Sequence, residues 1–160
     1  MVALATLGAR LALTGPMMAA TISHKPATRT SRPRILLVDD DPTVLAGLRR
    51  VLRIAEPVWE IHTVSSGEKA LEALASGRFD VVLTDLTMPG VDGFELLVEV
   101  RRSHPGTVRI IHSSQLTTLG SERLRYLADA SIAKPSPALE LLSVMRWAER
   151  ASRPGARSSI

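Results

Sequence analysis

The chain of 160 residues contains no cysteine and very few aromatic side chains. Without cysteine it can form neither a disulfide framework nor a thiolate zinc site, and it has no cysteine nucleophile. Because only 3% of the residues are aromatic, a core must be built from aliphatic side chains, as in sheets of Val, Ile and Leu strands covered by helices. The length suits one domain of ordinary size.

Acidic residues are absent from both ends of the chain. All 16 Asp and Glu lie within residues 34–150, where the formal charge is 14 − 16 = −2, although the net charge of the whole chain is +4. Residues 1–33 are therefore predicted to be a basic extension that is disordered or reflects an overlong translation start, and residues 151–160 a basic tail. No aromatic residue interleaves these charges, so direct nucleic-acid binding is not expected.

The apolar start of the chain does not read as a membrane segment. Residues 1–20 are interrupted by Arg10 and by Gly15-Pro16, which leaves no stretch long enough to span a bilayer and no convincing export signal. A cytoplasmic location without membrane contact is expected.

Short apolar runs alternate with helical patterns over residues 34–150. Strands are predicted at Ile35–Val38, Trp59–Val64, Val81–Thr84, Val108–His112 and Ser131–Ala133. Helices are predicted after the N-cap Asp41, after a capping box at Ser65-x-x-Glu68, around Phe94–Val98 up to Pro105, at about Leu119–Leu127 and at Pro137–Arg150. This alternation predicts an α/β fold, a doubly wound parallel sheet of five strands with helices on both faces.

Polar side chains follow four of the predicted strands. Asp39 and Asp40 follow the first strand, Asp85 the third, Ser113 the fourth and Lys134 the fifth. Because the carboxyl ends of parallel strands meet at one edge of the sheet, these side chains are expected to lie close together. Three carboxylates, a hydroxyl and an ammonium suit a phosphoryl group held with a divalent cation, and an all-oxygen site favours Mg²⁺. Asp85 could then attack a phosphoryl group as a nucleophile.

In this order, the motifs make residues 34–150 resemble a receiver domain of the bacterial two-component response regulators. The resemblance rests on four segments: the run Ile35–Asp41, the segment Asp85–Gly93, Ser113 after the fourth strand and Lys134-Pro135 after the fifth. It implies the flavodoxin-like strand order 2-1-3-4-5. It also implies that the Lys134-Pro135 bond is cis, which an X–Pro bond adopts at small cost.

The resemblance assigns a role to each residue at the sheet edge. Asp85 would be the phospho-acceptor, Ser113 the switch hydroxyl and Lys134 the phosphate-binding ammonium. The Mg²⁺ ligands would be Asp40, Asp85 and the backbone carbonyl of Thr87, while Asp39 would hold a metal-bound water.

The sequence departs from the receiver pattern at several positions. Ser131 stands where many receivers have Tyr or Phe, an aromatic that moves with the switch hydroxyl. His112 occupies a position that is usually apolar; it is expected to be a histidine packed at the strand end, with a pH-sensitive role as the alternative. Ser114 is small enough to keep access to Asp85. The stretch 114–121 has a weak helical pattern, so the fourth helix is expected to be short or mobile.

No output domain follows Arg150 in this sequence, so the resemblance implies a single-domain response regulator. It would take a phosphoryl group from a histidine kinase or phosphotransfer protein and signal to an unknown downstream protein. Its phosphorylation and dephosphorylation would be self-catalysed, without enzymatic turnover. The face of the fourth and fifth helices, including Trp147, is the candidate surface for a homodimer.

Two alternatives belong to other functional classes. One is a binding module that keeps the receiver fold but works without phosphorylation. The other is a phosphatase of the haloacid dehalogenase type, because Asp39-x-Asp41-x-Thr43 after an apolar strand is similar to the first motif of that family. Asp39 would then be the nucleophile and Asp41 the acid, but Asp85 would have no role.

Overall fold

The computed structural model describes residues 31–116 and 121–155, in which strands and helices alternate. The strands are β1 (Arg34–Val38), β2 (Glu60–Val64), β3 (Val81–Thr84), β4 (Val108–Ser113) and β5 (Ala130–Ala133). The helices are α1 (Pro42–Ala55), α2 (Gly67–Ser76), α3 (Gly93–Ser103), α4 (Ser121–Leu127) and α5 (Ala138–Ala151). The predicted N-terminal extension up to residue 30 and the tail beyond residue 155 lie outside the described residues.

The five strands form one parallel sheet in the order β2-β1-β3-β4-β5, which confirms the predicted fold class and strand order. Val38 of β1 pairs with Thr84 of β3, and Ser113 of β4 pairs with Ala133 of β5. Strand pairing continues one step further at the carboxyl edge, where the Asp85 amide donates to the carbonyl oxygen of Val38 at 3.0 Å. The register therefore brings the residues after each strand to one edge.

The two faces of the sheet carry separate aliphatic cores. Alternate strand residues such as Leu37, Leu83 and Ile110 pack against α1 and α5, whereas the intervening residues such as Leu36 and Val82 pack against α2, α3 and the end of α4. Strands with both faces covered are expected to be continuously apolar. The prediction of helices on both faces is thus confirmed.

Two aspartates start helices, and the first of them, Asp41, is the N-cap that the sequence predicts. Asp41 caps α1 by accepting a hydrogen bond from the Thr43 amide at 2.7 Å. Asp92 caps α3 by accepting from the Glu95 amide at 2.8 Å. Each side chain satisfies an amide that the first helical turn leaves without a backbone partner.

The predicted capping box at the start of α2 is wrong. The N-cap is Ser66, whose hydroxyl accepts from the Lys69 amide at 3.3 Å. The Glu68 carboxylate accepts instead from the Val91 amide at 2.8 Å. Glu68 is therefore engaged by the loop that follows β3, a tertiary contact between residues 23 positions apart that no local pattern records.

The remaining differences are shifts of strand and helix ends by one residue. β2 begins at Glu60, with Trp59 buried just before it, and β4 extends to Ser113. α4 has seven residues and is short, as expected. The predicted start of this helix at about Leu119 lies outside the described residues. In the described ranges, no helix has the length and apolar character needed to cross a bilayer.

The loop after β3 comes very close to the start of α3. A Cβ atom placed on Gly93 would lie 1.9 Å from the carbonyl oxygen of Asp85 and 2.8 Å from the Cα of Leu86. Both of these atoms belong to the backbone, which cannot move away as the end of a flexible side chain can. The contact ties the first residue of α3 to the residues that follow β3.

We predict that Gly93→Ala lowers the free energy of unfolding by about 2 kcal/mol or more, because the added methyl group overlaps the backbone of Asp85. Urea unfolding followed by circular dichroism measures the change. Gly47→Ala is the matched control, since a Cβ at Gly47 meets nothing within 4 Å. That control should gain about 0.5 to 1 kcal/mol from helix propensity. Equal stability of the two variants would contradict the close approach at Gly93.

Candidate functional site

Three aspartates converge at the carboxyl edge of the sheet. One carboxylate oxygen from each of Asp39, Asp40 and Asp85 lies within 4.8 Å of the others. Asp39 is buried with 1% of its surface exposed, Asp85 is half-buried and Asp40 faces solvent. This graded burial leaves an open side through which a cation or a phosphoryl donor can approach.

The ammonium group of Lys134 lies between two of these carboxylates. Its Nζ atom donates to Asp39 Oδ2 at 2.6 Å and to Asp85 Oδ2 at 2.5 Å. The Lys134 backbone amide donates to the carbonyl oxygen of Ser113 at 3.1 Å, and the Lys134-Pro135 bond is cis, which confirms that prediction. The backbone thus aligns the end of β5 with the end of β4 while the side chain reaches across to β1 and β3.

The Asp85 carboxylate is oriented by its own loop. Its Oδ1 atom accepts hydrogen bonds from the amides of Leu86 at 2.6 Å and Thr87 at 3.3 Å. The Thr84 hydroxyl donates to the Asp85 carbonyl oxygen at 2.8 Å. Because the amides occupy Oδ1, the Oδ2 atom is the one that faces Lys134.

The ionisation of Asp85 and Lys134 is coupled through their contact. Burial raises the pKa of the Asp85 carboxyl, but hydrogen bonds from Lys134 and Ser113 and the charge of Lys134 outweigh it, so the pKa lies below its ordinary value of 3.8. Burial lowers the pKa of Lys134, yet its hydrogen bonds to Asp39 and Asp85 raise it above 10.5. Asp85 is therefore a carboxylate, and Lys134 an ammonium, at neutral pH.

Ser113 and Thr87 reach the site in different ways. Ser113 is buried at the end of β4, where its hydroxyl contacts the Asp85 carboxylate and accepts from the Gln115 amide at 3.4 Å. Thr87 is exposed and contributes its backbone amide to Asp85. The metal-ligand role of the Thr87 carbonyl stays a prediction.

The donor set at this edge fits a small, hard cation. Asp39, Asp40 and Asp85 offer carboxylate oxygens alone, the ligands that Mg²⁺ prefers, and the exposed side leaves room for the waters that Mg²⁺ retains. Three carboxylates held this closely also repel one another, and Lys134 neutralises only part of their charge. These residues would hold the metal.

His112 is packed at the end of β4, as the sequence predicts. Only 4% of its surface is exposed, and its Nε2 atom lies 3.1 Å from the Ser136 hydroxyl oxygen. Burial, followed by the charge of Lys134, lowers the pKa of His112 against the opposing effects of Asp39 and Asp85. Ser136 was missed by the sequence reasoning, since a serine two residues after Lys134 carries no recognisable signal.

Among the described aromatic residues, Tyr126 on α4 is the one nearest in sequence to position 131. Ser131 is exposed on the edge strand β5. Tyr126 of α4 is 61% exposed, and its ring lies 4.0 Å from the guanidinium carbon of Arg101 on α3. Arg101 also donates to the Tyr126 carbonyl oxygen. The tyrosine ring therefore packs against Arg101 of α3.

The fold and the site define a receiver. The family described as "Response regulator receiver domain" matches residues 35–146. The chain belongs to this family.

Curated relatives of the chain include two transcriptional regulators. TcrA of Mycobacterium tuberculosis is 35% identical over 127 residues, which cover 76% of this chain and 48% of TcrA. GlrR of Escherichia coli is 38% identical over 100 residues, which cover 62% of this chain and 20% of GlrR. The chain thus spans about half, or less, of the length of these relatives.

Solved structures share the same architecture. The signal receiver domain of an HD domain-containing protein from Pseudomonas fluorescens superposes with a TM-score of 0.73 at 28% identity, covering 85% of this chain and 99% of that one. TrrA from Thermotoga maritima, solved in complex with Mg²⁺ and BeF, has a TM-score of 0.66 at 29% identity, with coverages of 72% and 98%.

Membership in the receiver family corrects the haloacid dehalogenase alternative. That alternative made Asp41 the acid, but the Asp41 carboxylate is exposed and caps α1 through the Thr43 amide. It also left Asp85 without a role, whereas Asp85 lies at the centre of the observed contacts.

We predict that Lys134→Met lowers the free energy of unfolding by about 2 kcal/mol in the presence of a chelator, because it leaves the buried carboxylate of Asp39 and the half-buried carboxylate of Asp85 without their ammonium partner. Added Mg²⁺ should stabilise the variant more than the wild type. Urea unfolding at neutral pH, with EDTA and with Mg²⁺, measures both effects. The control is Lys69→Met, which removes an exposed ammonium that contacts only the Ser65 hydroxyl among the described residues. If the two variants lose the same stability, the importance of the Lys134 contacts is refuted.

Proposed function

We propose that this chain accepts a phosphoryl group on Asp85 from a histidine kinase or a phosphotransfer protein. One observation carries the proposal: the Asp85 carboxylate is ionised and half-buried, and it lies between the Lys134 ammonium and the acidic pair Asp39 and Asp40. Membership in the receiver family supports the same assignment.

In the proposed reaction, a carboxylate oxygen of Asp85 attacks the phosphorus atom of a phosphohistidine. The new oxygen–phosphorus bond forms as the phosphorus–nitrogen bond breaks, and the electron pair stays on the imidazole nitrogen, which takes up a proton from water. The product is an acyl phosphate on Asp85. Phosphoryl transfer of this kind depends mainly on positioning and on neutralising charge at the phosphoryl oxygens.

The surrounding residues divide these tasks. Lys134 would neutralise a phosphoryl oxygen, and the Ser113 hydroxyl, already against Asp85, would donate a hydrogen bond to another. Asp40, Asp85 and the Thr87 carbonyl would bind Mg²⁺ directly, with Asp39 orienting a metal-bound water. When bound, Mg²⁺ would supply further positive charge at the phosphoryl oxygens. The complex of TrrA, a relative in fold and sequence, with Mg²⁺ and BeF supports a Mg²⁺ site in this chain.

We also propose that the chain lies in the cytoplasm of a bacterium and signals by binding another protein. The chain would act on an unknown downstream protein. A candidate homodimer surface lies on the α4–α5 side, where Trp147 and Val144 of α5 line a shallow groove beside Asp129 and Ala130. The mixed apolar and acidic lining of this groove suits contact with another protein surface.

We predict that acetyl phosphate with Mg²⁺ adds one phosphoryl group to the wild-type protein and none to Asp85→Asn. The intact mass of the protein gives the result. Asp92→Asn is the matched control, because Asp92 lies in the same loop but caps α3, so this variant should be labelled like the wild type. Equal labelling of Asp85→Asn would refute the assignment. An unlabelled wild type would favour the phosphorylation-independent binding module, for which the exposed Ser131 is the supporting observation.

We predict that Asp40→Asn and Asp39→Asn each weaken Mg²⁺ binding by about 10-fold or more. Asp40→Asn removes the charge of a proposed ligand, and Asp39→Asn removes the charge that would orient a metal-bound water. Isothermal titration calorimetry of the unphosphorylated protein measures this directly. The exposed Asp41→Asn variant is the control, since the Asp41 side chain serves the start of α1. Unchanged affinity in both cluster variants would rule out this metal site.

A further inference from the structure

The environment of His112 is unusual for a polar ring. Two residues earlier in β4, Ile110 packs into the core between the sheet and the helices α1 and α5, so His112 faces the same side. There it lines a groove of about 480 Å³ together with Leu48 of α1 and Leu141 of α5. Burying an imidazole among such side chains is costly unless it makes hydrogen bonds.

The hydrogen bond that His112 makes leads to the segment that carries Lys134. Its Nε2 atom lies 3.1 Å from the Ser136 hydroxyl oxygen. The Nδ1 atom has no hydrogen-bond partner in the part of the chain that the structure describes, so the contact with Ser136 satisfies the Nε2 atom alone. Burial keeps the pKa of His112 low, and the ring is neutral at pH 7.

Two hydrogen bonds therefore bracket Lys134 against the end of β4. The first runs from the Lys134 amide to the Ser113 carbonyl at 3.1 Å. The second joins Ser136 to His112 at 3.1 Å, across Pro135. Strand β4 thus holds the backbone on both sides of Pro135. The Lys134 side chain must then span a fixed distance to Asp39 and Asp85, which it contacts at 2.6 and 2.5 Å.

We propose that His112 is a positioning residue for phosphoryl transfer to Asp85, acting through its hydrogen bond to Ser136 to hold the Lys134 backbone in register with Ser113. The inference rests on the proposed function. It assigns His112 no contact with the phosphoryl group, because the ring lies on the α1–α5 side of the sheet while the Ser113 hydroxyl contacts Asp85. The hydrogen bond joins His112, the residue before Ser113, to Ser136, two residues after Lys134.

The test is a double-mutant cycle on the rate of Asp85 labelling by acetyl phosphate at saturating Mg²⁺. His112→Val and Ser136→Ala should each slow labelling about three- to tenfold, the effect expected from losing one neutral hydrogen bond that positions a charged group. The double variant should be no slower than the slower single variant, because both substitutions remove the same bond. Ser136→Thr keeps a hydroxyl and should restore most of the rate.

Two measurements separate positioning from general damage. Mg²⁺ affinity should stay at the wild-type value in all variants, since none of the carboxylates is altered. Ser76→Ala serves as the control, because it removes a serine hydroxyl that donates to the Ala73 carbonyl at 2.8 Å near the opposite edge of the sheet. Circular dichroism and thermal unfolding establish that each variant is folded, and Ser136, which is less buried than His112, is the safer member of the pair.

Three outcomes would overturn the inference while leaving Asp85 as the acceptor. They are independent effects of the two substitutions, wild-type rates in both single variants, and a Ser136→Thr rate as low as that of Ser136→Ala. An unlabelled wild type would overturn both proposals. A readout without phosphorylation is the ¹⁵N resonance of the His112 ring. It should shift in Ser136→Ala and not in Ser76→Ala, and an unmoved resonance would also overturn the inference.

Discussion

The contact of the Lys134 ammonium with the carboxylates of Asp39 and Asp85 is the interaction on which this structure depends. Carboxylates that lie within 4.8 Å of one another at the end of a buried sheet repel each other and lose hydration. A single ammonium at 2.5 and 2.6 Å offsets part of both effects. The same contact requires β1, β3 and β5 to keep their relative positions, so the charged site and the strand order depend on each other.

Main-chain hydrogen bonds and contacts also hold these strand ends in position. The amides of Leu86 and Thr87 hold one oxygen of Asp85, and the Asp85 amide pairs with Val38. Gly93 lets α3 begin directly against the Asp85 carbonyl. Because these contacts use main-chain atoms, the orientation of the Asp85 carboxylate is already established before any ligand binds, as a site that works mainly by positioning requires.

The strands, most of the helices and the edge of the sheet that carries the site were predictable because short stretches of sequence indicate them. Apolar runs such as Ile35–Val38 indicate buried strands, and the polar residues that follow them must meet once the strands are parallel. The role of Glu68 at the start of α2 was not predictable, because its carboxylate accepts from the Val91 amide, 23 residues away. The pairing of His112 with Ser136 was equally hidden, since it exists only after β4 and β5 have paired.

Two of the departures from the usual receiver pattern, at Ser131 and His112, affect different parts of the molecule. The contacts that hold Asp85, Lys134 and Ser113 involve no atom of Ser131, so the chemistry at the sheet edge does not depend on an aromatic at that position. An exposed serine on an edge strand cannot, however, provide the large aromatic side chain that moves with the switch hydroxyl in many receivers. His112 is the side chain next to Ser113 that links β4 to another segment. The end of β4 is therefore joined both to Lys134, through Ser113, and to Ser136, through His112.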